Sequence, residues 1–237
     1  MINRIKKFWA TLGLISIELL LVVSLFLFAL IVFAYITYDV FGVDNTSFDE
    51  AVFEAVRPFI SDTNTRIMRF TTFFATHRFL LPANIILAAY FIFRKHRWYS
   101  IRIPVVALSS YVVMALLKLF FSRPRPLDPV FRAAAGFSFP SGHAMSAVTF
   151  YGLLIYITWR NVENAFVKWI LTIALSFVIL LIGFSRVYLR VHYASDVLAG
   201  FSMGLVWLVL SLWLMKRIEN YTRKEIAPAV NSNKSAL

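Results

Sequence analysis

The sequence contains no cysteine, and this absence removes several classes of protein from consideration. Disulfide-stabilised folds and metal sites built on thiolates are both excluded, because each needs cysteine sulfur. Charged residues are also scarce: they make up 15% of the 237 residues, whereas 60% are hydrophobic. A soluble domain of this length could not bury so much apolar surface. The composition therefore excludes a soluble protein and predicts an integral membrane protein.

Acidic residues are the scarcer of the two charged types, with 12 Asp and Glu against 24 Lys and Arg and a formal net charge of +12. Such a charge could indicate a nucleic-acid partner. The basic residues are scattered over short loops between apolar segments, however, which is typical of membrane proteins. We therefore predict a bilayer as the partner of this chain, with no nucleic acid and no obligate protein partner.

Long apolar segments are abundant, and six of them have a length that can cross a bilayer. We predict an all-α polytopic fold, a bundle of six transmembrane helices in a single domain over residues 1–237. The first segment is too long for the apolar part of a signal peptide, so we expect it to be retained. Pro104 is predicted in the first turn of the third helix, where proline is tolerated. The predicted spans are about 12–38, 72–93, 103–121, 143–159, 167–184 and 195–215.

Two segments outside the predicted spans have features of their own. Residues 44–78 are amphipathic, with Pro58 as a break, and predict one or two short helices at the outer interface. These helices either cap the bundle or shape an entrance for lipid. The polar tail, from about 220 to 237, is predicted to be mobile.

Basic residues concentrate in the connections on one side of the predicted bundle, whereas acidic residues follow the first helix. The positive-inside rule then places the basic side and both termini in the cytoplasm. The basic residues concerned are Arg4, Lys6, Lys7, Arg94, Lys95, Arg97, Arg102, Arg160, Lys168, Lys216, Arg217, Arg223 and Lys224.

Three polar motifs lie in the two connections on the opposite side. Their patterns are K-x6-R-P, P-S-G-H and S-R-x5-H-x3-D. They comprise Lys118 with Arg125-Pro126, then Pro140 to His143, then Ser185-Arg186 with His192 and Asp196. Because both connections fall on one predicted face, we expect a single extracytoplasmic site, within residues 118–196, that handles phosphate.

The two histidines and the aspartate supply the groups that phosphoryl transfer requires. His192 is the candidate nucleophile, since an imidazole nitrogen can form a phosphoenzyme. Asp196 lies four residues later and can fix the tautomer of that ring. His143 is the candidate general acid for the leaving oxygen. Alternatively, the pair formed by His192 and Asp196 merely caps the sixth helix.

The remaining motif residues predict an anion site. Ser141 and Gly142 precede a helix, where a hydroxyl and an approachable N–H group can bind phosphate oxygens. Arg125 and Arg186 can each form paired hydrogen bonds with phosphate, and Lys118 adds a positive charge. The alternatives are an ordinary serine N-cap, a lysine that extends to the interface, and arginines at lipid headgroups or in solvent.

Several other polar residues receive no catalytic assignment. Ser185 either orients Arg186 or ends the fifth helix. Gly200 and Gly204 predict close helix packing. Solvated or headgroup-contacting side chains are expected at Arg123, Arg132 and Arg190, and structural histidines at His77 and His96.

The complete set of motifs resembles the type 2 phosphatidic acid phosphatase superfamily, which shares its site with vanadium haloperoxidases and bacterial acid phosphatases. The resemblance covers residues 118–196 directly. It implies metal-independent hydrolysis without a cofactor, and the same roles for the motif residues. Length and layout are most similar to the branch that contains phosphatidylglycerophosphatase B and undecaprenyl pyrophosphate phosphatases.

The resemblance thus implies a membrane phosphatase that acts on undecaprenyl pyrophosphate, phosphatidylglycerol phosphate or phosphatidic acid. Two alternatives remain: a phosphotransferase with the same site, and a lipid transporter or binding protein without activity. The sequence does not indicate which of these lipids is preferred, or whether a monophosphate is preferred to a diphosphate. It also gives no oligomeric state.

Overall fold

The computed structural model describes the backbone of residues 2–131 and 135–226, and the side chains of residues 17, 19–131 and 135–224. Over these residues the chain forms eight α-helices and no β-strand. The helices are α1 (Ile2–Phe41), α2 (Ser47–Val56), α3 (Asp62–Phe73), α4 (His77–Phe93), α5 (Arg97–Phe121), α6 (Gly142–Asn161), α7 (Ala165–Tyr188) and α8 (Ala194–Tyr221). A short π-helix, Thr222–Ile226, follows α8, so the part of the predicted mobile tail up to residue 226 is helical. The rest of that tail and Arg132 lie outside the described residues.

The all-α membrane fold is confirmed, and six long helices match the six predicted segments. Five stretches are long and apolar enough to cross a membrane: Leu19–Phe41, Asp62–Phe93, Arg97–Phe121, Ala165–Tyr188 and Ala194–Lys224. Many of their apolar side chains face outward, such as Phe93 and Phe120, which are 83% and 80% exposed. Lipid is the medium in which such a surface is stable. The sixth long helix, α6, falls outside this group, and many of its side chains are buried against its neighbours.

The centre of the bundle is the contact between α6 and α8. The two backbones approach closely at Gly200, where an added Cβ would lie 2.6 Å from the Ser141 carbonyl oxygen. At Gly204 the added Cβ would lie 3.0 Å from the carbonyl oxygen of Met145. Only glycine leaves room for this approach, so both residues pack the helices as predicted. The contact also fixes the position of Ser141 relative to α8.

Aromatic rings attach α1 to the end of the bundle that carries the motifs. Phe33 and Phe41 of α1 pack against Phe121 and Phe139, with ring centroids 4.9 to 6.3 Å apart. Phe139 is fully buried and immediately precedes the P-S-G-H motif. This cluster therefore holds the start of that motif in place.

The amphipathic stretch forms two short helices, as predicted, and both pack on the motif end of the bundle. Val52 and Val56 of α2 pack with the buried Tyr188 and Leu189 at the end of α7. The helix α3 packs along α7, where the Tyr188 hydroxyl accepts a hydrogen bond from the backbone N–H of Ser61 at 3.1 Å.

Two predictions for the third transmembrane helix were wrong in detail. The helix α5 begins at Arg97 rather than near residue 103, so Pro104 lies inside it. The missing N–H of Pro104 costs one hydrogen bond to the carbonyl of Ser100, which is tolerable close to a helix start. Arg102, expected in a basic loop, is buried within the same helix at 5% exposure.

Candidate active site

Lys118 lies in the last turn of α5 and extends into the connection that follows. The helix ends there because Ser122 adopts a left-handed conformation (φ 49°) and Pro124 comes shortly after. The Nζ atom of Lys118 donates hydrogen bonds to the carbonyl oxygens of Phe137 (2.6 Å) and Ser138 (3.3 Å). Lys118 is therefore directed into the loop between α5 and α6, here called the motif loop. The alternative, in which Lys118 extends to the membrane interface, disagrees with these contacts.

His192 lies between α7 and α8 and is only 2% exposed. Its Nε2 atom is 3.2 Å from Nη1 of Arg125, which can only donate. Its Nδ1 atom is 3.3 Å from Oγ of Ser138 and 3.5 Å from Oδ2 of Asp196. These partners assign the proton to Nδ1 and the lone pair to Nε2. Nε2 is therefore the nitrogen able to attack.

Burial lowers the pKa of His192 from its ordinary 6.5 to about 4, because the charged imidazolium is poorly solvated. Asp196 opposes this shift in pKa, whereas Arg186 and Arg125 reinforce it. The imidazole is consequently neutral at physiological pH, which is the state that a nucleophile requires.

Asp196 is fully buried and has a hydrogen-bond donor on each side of its carboxylate. Oδ2 accepts bonds from the Ser138 hydroxyl and from the Tyr193 backbone N–H at 2.9 Å. Oδ1 accepts a bond from Nη1 of Arg123 at 2.7 Å. The bond from Tyr193 shows that Asp196 caps α8, as the alternative interpretation predicted. Asp196 therefore has both roles, because it also contacts His192.

The backbone of Asp196 also connects two motifs. Its carbonyl oxygen accepts a hydrogen bond from the N–H of Ser141 at 2.9 Å. The Ser141 hydroxyl makes no capping bond to α6 and, within residues 19–131 and 135–224, is buried without a hydrogen-bond partner. The alternative of an ordinary serine N-cap is therefore not what the structure shows.

The two motif arginines have different hydrogen-bond partners. Arg125 donates from Nε to the Gly136 carbonyl (2.9 Å) and from Nη1 to the Val191 carbonyl (2.6 Å). Arg186, at 7% exposure, donates from Nη1 to Oγ1 of Thr72 at 2.7 Å, while its buried Nε has no partner among the described side chains. A buried N–H group without an acceptor costs free energy, so an anion at this position would stabilise it.

His143 lies in the first turn of α6 and is partly exposed. Arg186, His192, Arg125 and Lys118 are all close enough to interact with it electrostatically. The preceding Gly142 lies against α5, where an added Cβ would be 2.9 Å from the Met114 sulfur. Glycine at this position therefore allows α5 and α6 to pack closely.

The prediction that Arg123 is a solvated or headgroup-contacting residue was wrong. Arg123 is 9% exposed and bridges Asp196 to Asp49 of α2, with Nη2 at 2.9 Å from the Asp49 carboxylate. Nη1 also donates to the Ser195 hydroxyl at 2.8 Å, and the guanidinium lies 4.1 Å from the Tyr193 ring centroid.

The sequence analysis also missed Asp49, which is 2% exposed. Its carboxylate accepts hydrogen bonds from the backbone N–H (2.8 Å) and the hydroxyl (2.7 Å) of Ser195. A signal was present, since Asp49 precedes Val52, Phe53 and Val56 by three, four and seven residues. It therefore lies on the apolar face of α2, where an acid needs a buried partner.

Two further residues contribute without having been predicted, and Ser185 does not end the fifth helix, since α7 continues to Tyr188. Ser138 connects His192 to Asp196, and Thr72 accepts a bond from Arg186. Ser185 donates its hydroxyl to the Ile182 carbonyl at 2.6 Å, so this hydroxyl is used inside α7.

The chain matches the family model described as PAP2 superfamily over residues 99–219, a range that contains all three motifs. The chain belongs to the PAP2 superfamily. It is 32% identical over 204 residues to phosphatidylglycerophosphatase B of Bacillus subtilis (strain 168), with 85% of this chain and 98% of that protein covered. It is also 32% identical over 107 residues to dolichyldiphosphatase of Saccharomyces cerevisiae, with 41% and 44% covered.

Solved structures of PAP2 proteins have the same fold. The crystal structure of a transmembrane PAP2-type phosphatidylglycerolphosphate phosphatase from Bacillus subtilis superimposes with a TM-score of 0.72 at 32% identity, covering 83% of this chain and 96% of that one. Aquifex aeolicus LpxE gives a TM-score of 0.54 at 26% identity, covering 68% and 93%. The chain is a PAP2-family lipid phosphatase, and its resemblance to that family is confirmed.

Proposed function

We propose that this PAP2 protein hydrolyses the phosphomonoester or diphosphate of a membrane lipid through a phosphohistidine at His192. One observation carries the proposal: Nε2 of the buried His192 has a lone pair and faces a group of cationic side chains. Beside it, two buried polar groups, Nε of Arg186 and Oγ of Ser141, have no partner in the described part of the protein. A phosphate group supplies the oxygens that such groups bind.

In the first step, Nε2 of His192 attacks phosphorus and the bond to the leaving oxygen breaks. Arg125 releases Nε2 and binds the phosphoryl oxygens together with Arg186 and Lys118. Their positive charge compensates the charge that develops in the transition state. The proton on Nδ1 remains on the ring, and the carboxylate of Asp196 stabilises the positive charge that the ring acquires.

His143 transfers the protons. In the first step it donates a proton to the leaving oxygen, which departs as the lipid alcohol or the lipid monophosphate. In the second step the neutral His143 accepts a proton from water, and that water attacks the phosphohistidine. The bond between phosphorus and nitrogen breaks, inorganic phosphate leaves, and His192 is again neutral.

The preferred substrate that we propose is phosphatidylglycerol phosphate. The support is the similarity to phosphatidylglycerophosphatase B, which covers 98% of that protein. The similarity to dolichyldiphosphatase, over a shorter segment, makes a polyprenyl diphosphate the second candidate. The three cations Lys118, Arg125 and Arg186 provide enough positive charge for either headgroup.

The proposed site opens on the extracytoplasmic side, and both termini are cytoplasmic. The support is the distribution of charge, since basic connections lie at the end of the bundle opposite the motifs. The acyl chains remain in the bilayer while the headgroup enters beside α2 and α3.

Phosphate release by the purified protein in detergent with EDTA tests this function. The substrates are phosphatidylglycerol phosphate, phosphatidic acid, undecaprenyl pyrophosphate and a lipid A phosphate. We expect the fastest release from phosphatidylglycerol phosphate, and none from a His192→Ala variant. Transfer of the phosphoryl group to added glycerol in place of water would favour a phosphotransferase. No turnover of any substrate by folded protein would contradict the proposal.

A further inference from the structure

A second cationic cavity lies at the end of the bundle opposite the candidate active site. It has a volume of about 560 Å³ and is bordered by the turn between α4 and α5, the end of α6 and the end of α8. Arg102 at its base precedes Lys118 on α5 by 16 residues, or about 24 Å along the helix. Six basic residues line the cavity: Lys95, Arg97, Arg102, Arg160, Lys216 and Arg223.

Arg102 is the buried element of this cavity. The side chain is 6% exposed, and it donates to the Glu219 carboxylate from Nη2 and to the Tyr156 hydroxyl from Nη1 at 3.2 Å. Its Nε is buried and has no hydrogen-bond partner among the residues that the structure describes. Because an unsatisfied buried donor on a charged group is costly, Arg102 has the capacity to bind a further acceptor.

The positive-inside rule does not account for this arrangement. Topogenic charges act from connections exposed to water, whereas Arg102 is buried within α5. Among the described residues, the lining contains one carboxylate, Glu219, which contacts Arg102 and, at 2.8 Å, Arg223. The other four basic residues of the lining form no ion pair within the described part of the chain. The cavity therefore has a large excess of positive charge.

We propose that this cavity is a second anion site that binds a phosphate group, separate from the candidate active site and independent of its function. Its walls are cationic and aromatic, formed by arginines, two lysines and the partly buried Trp98, Tyr99 and Tyr156. Such walls fit a phosphate on a larger molecule, whether the headgroup of an anionic lipid or a phosphorylated solute.

Paired substitutions at the rim test the proposal without removing the buried arginine. The site variant is Arg160→Gln with Lys216→Gln, two exposed residues of the lining. The matched control is Arg94→Gln with Arg217→Gln, which are exposed at the same end but outside the lining. The unchanged protein and both variants keep the candidate active site. Any shift in the unfolding midpoint caused by phosphate binding there is therefore common to all three and cancels in the comparison.

The measurement is the unfolding midpoint in detergent during titration with inorganic pyrophosphate, and separately in micelles that contain phosphatidylglycerol or phosphatidylcholine. A ligand that binds only the folded state raises this midpoint. We expect the half-saturating concentration to rise about tenfold in the site variant, as for one or two lost charge-assisted contacts. The control should respond like the unchanged protein.

The two ligand series distinguish the source of the phosphate. A response confined to phosphatidylglycerol assigns the cavity to a lipid headgroup, whereas a response to pyrophosphate assigns it to a soluble phosphate. Equal responses of the site variant and the control variant, to either ligand, would overturn the proposal. The basic residues would then serve topology alone.

Discussion

Neutrality of the imidazole is the property of His192 on which the proposed chemistry depends. The ring is buried beside arginines, which disfavour its protonation, yet Asp196 is close enough to stabilise positive charge once it forms. The same surroundings therefore keep the ring uncharged before the reaction and stabilise it during the reaction.

The pH dependence of catalysis follows from the pKa of His192, which burial lowers to about 4. Protonation removes the lone pair of Nε2, so activity requires a pH above this value. With an aryl phosphate, whose leaving group needs no proton from His143, and after correction for ionisation of the substrate, we expect kcat/KM to stay level from pH 7 to about pH 5. Below about pH 4 it should fall about tenfold per pH unit.

Stability should change in the same direction. Between about pH 6.5 and 4 the unfolded chain binds a proton at His192 and the folded protein does not, so acid destabilises the folded state over that range. An acid limb in kcat/KM centred near pH 6.5 would show that the ring is solvated, contrary to this account.

The role of His143 predicts a dependence on the leaving group. Replacement by alanine removes the proton donor, so hydrolysis of an alkyl phosphate should slow by about 10²- to 10⁴-fold. An aryl phosphate such as p-nitrophenyl phosphate leaves without protonation, so its first step should slow much less. Rapid quenching of a single turnover with each substrate measures this difference.

His77→Ala serves as the control, because His77 is an exposed histidine that the motifs do not include. It should hydrolyse both substrates at the original rate. Equal losses with alkyl and aryl phosphates in His143→Ala would indicate that His143 binds phosphate and transfers no proton.

Between elements, Arg123 connects α2 to the active-site end of α8. It lies between two buried carboxylates, Asp49 and Asp196, and contacts both at 2.7 to 2.9 Å. The short helix α2 is thereby fixed next to the residue that contacts His192. The role of α2 thus exceeds that of a helix that only caps the bundle.

Replacement of Arg123 by alanine should destabilise the protein strongly, since it leaves two buried carboxylates without their cation. The expected loss is about 3–5 kcal/mol, with a decrease in kcat and little change in KM for a soluble substrate. Thermal unfolding in detergent and steady-state kinetics measure the two effects.

Arg190→Ala is the matched control for this substitution. Arg190 is partly exposed and lies over the Phe53 ring at 5.2 Å, without a carboxylate partner in the described residues. It should lose little stability. Similar unfolding midpoints for the two variants would mean that the contacts of Arg123 contribute nothing.

Along the helices, periodicity and length were sufficient to predict the six long segments. Apolar runs of bilayer length have few alternative structures, so the transmembrane helices followed from sequence. The start of α5 was missed because Arg97, Ser100 and Arg102 interrupt the apolar run there, and a helix that emerges from the membrane loses its continuous apolar signature.

In the candidate site, sequence spacing indicated the residues with distinctive motifs and missed those that support them. His192 and Asp196 lie four residues apart, so their contact could be predicted. Arg123 and Asp49 are 74 residues apart, and nothing local distinguishes a buried arginine from a solvated one. Such pairs depend on tertiary packing, which the order of residues does not reveal.

For the molecule as a whole, the absence of cysteine makes the predicted orientation directly measurable. Leu127 lies in the motif loop and is 94% exposed, and Arg94 is exposed at the other end. In intact cells, a membrane-impermeant maleimide should label Leu127→Cys within minutes and should label Arg94→Cys only after permeabilisation. The reverse pattern would place the candidate active site in the cytoplasm.

The whole account depends on a covalent intermediate at His192, and trapping it is the most direct test. The protein is mixed with ³²P-labelled lipid phosphate, quenched in alkaline denaturant and digested to peptides. We expect label on the peptide that contains His192, stable to alkali and lost in acid, with none in His192→Ala and an unchanged amount in His77→Ala. Phosphate release by His192→Ala at the original rate, or label on another residue, would contradict the account.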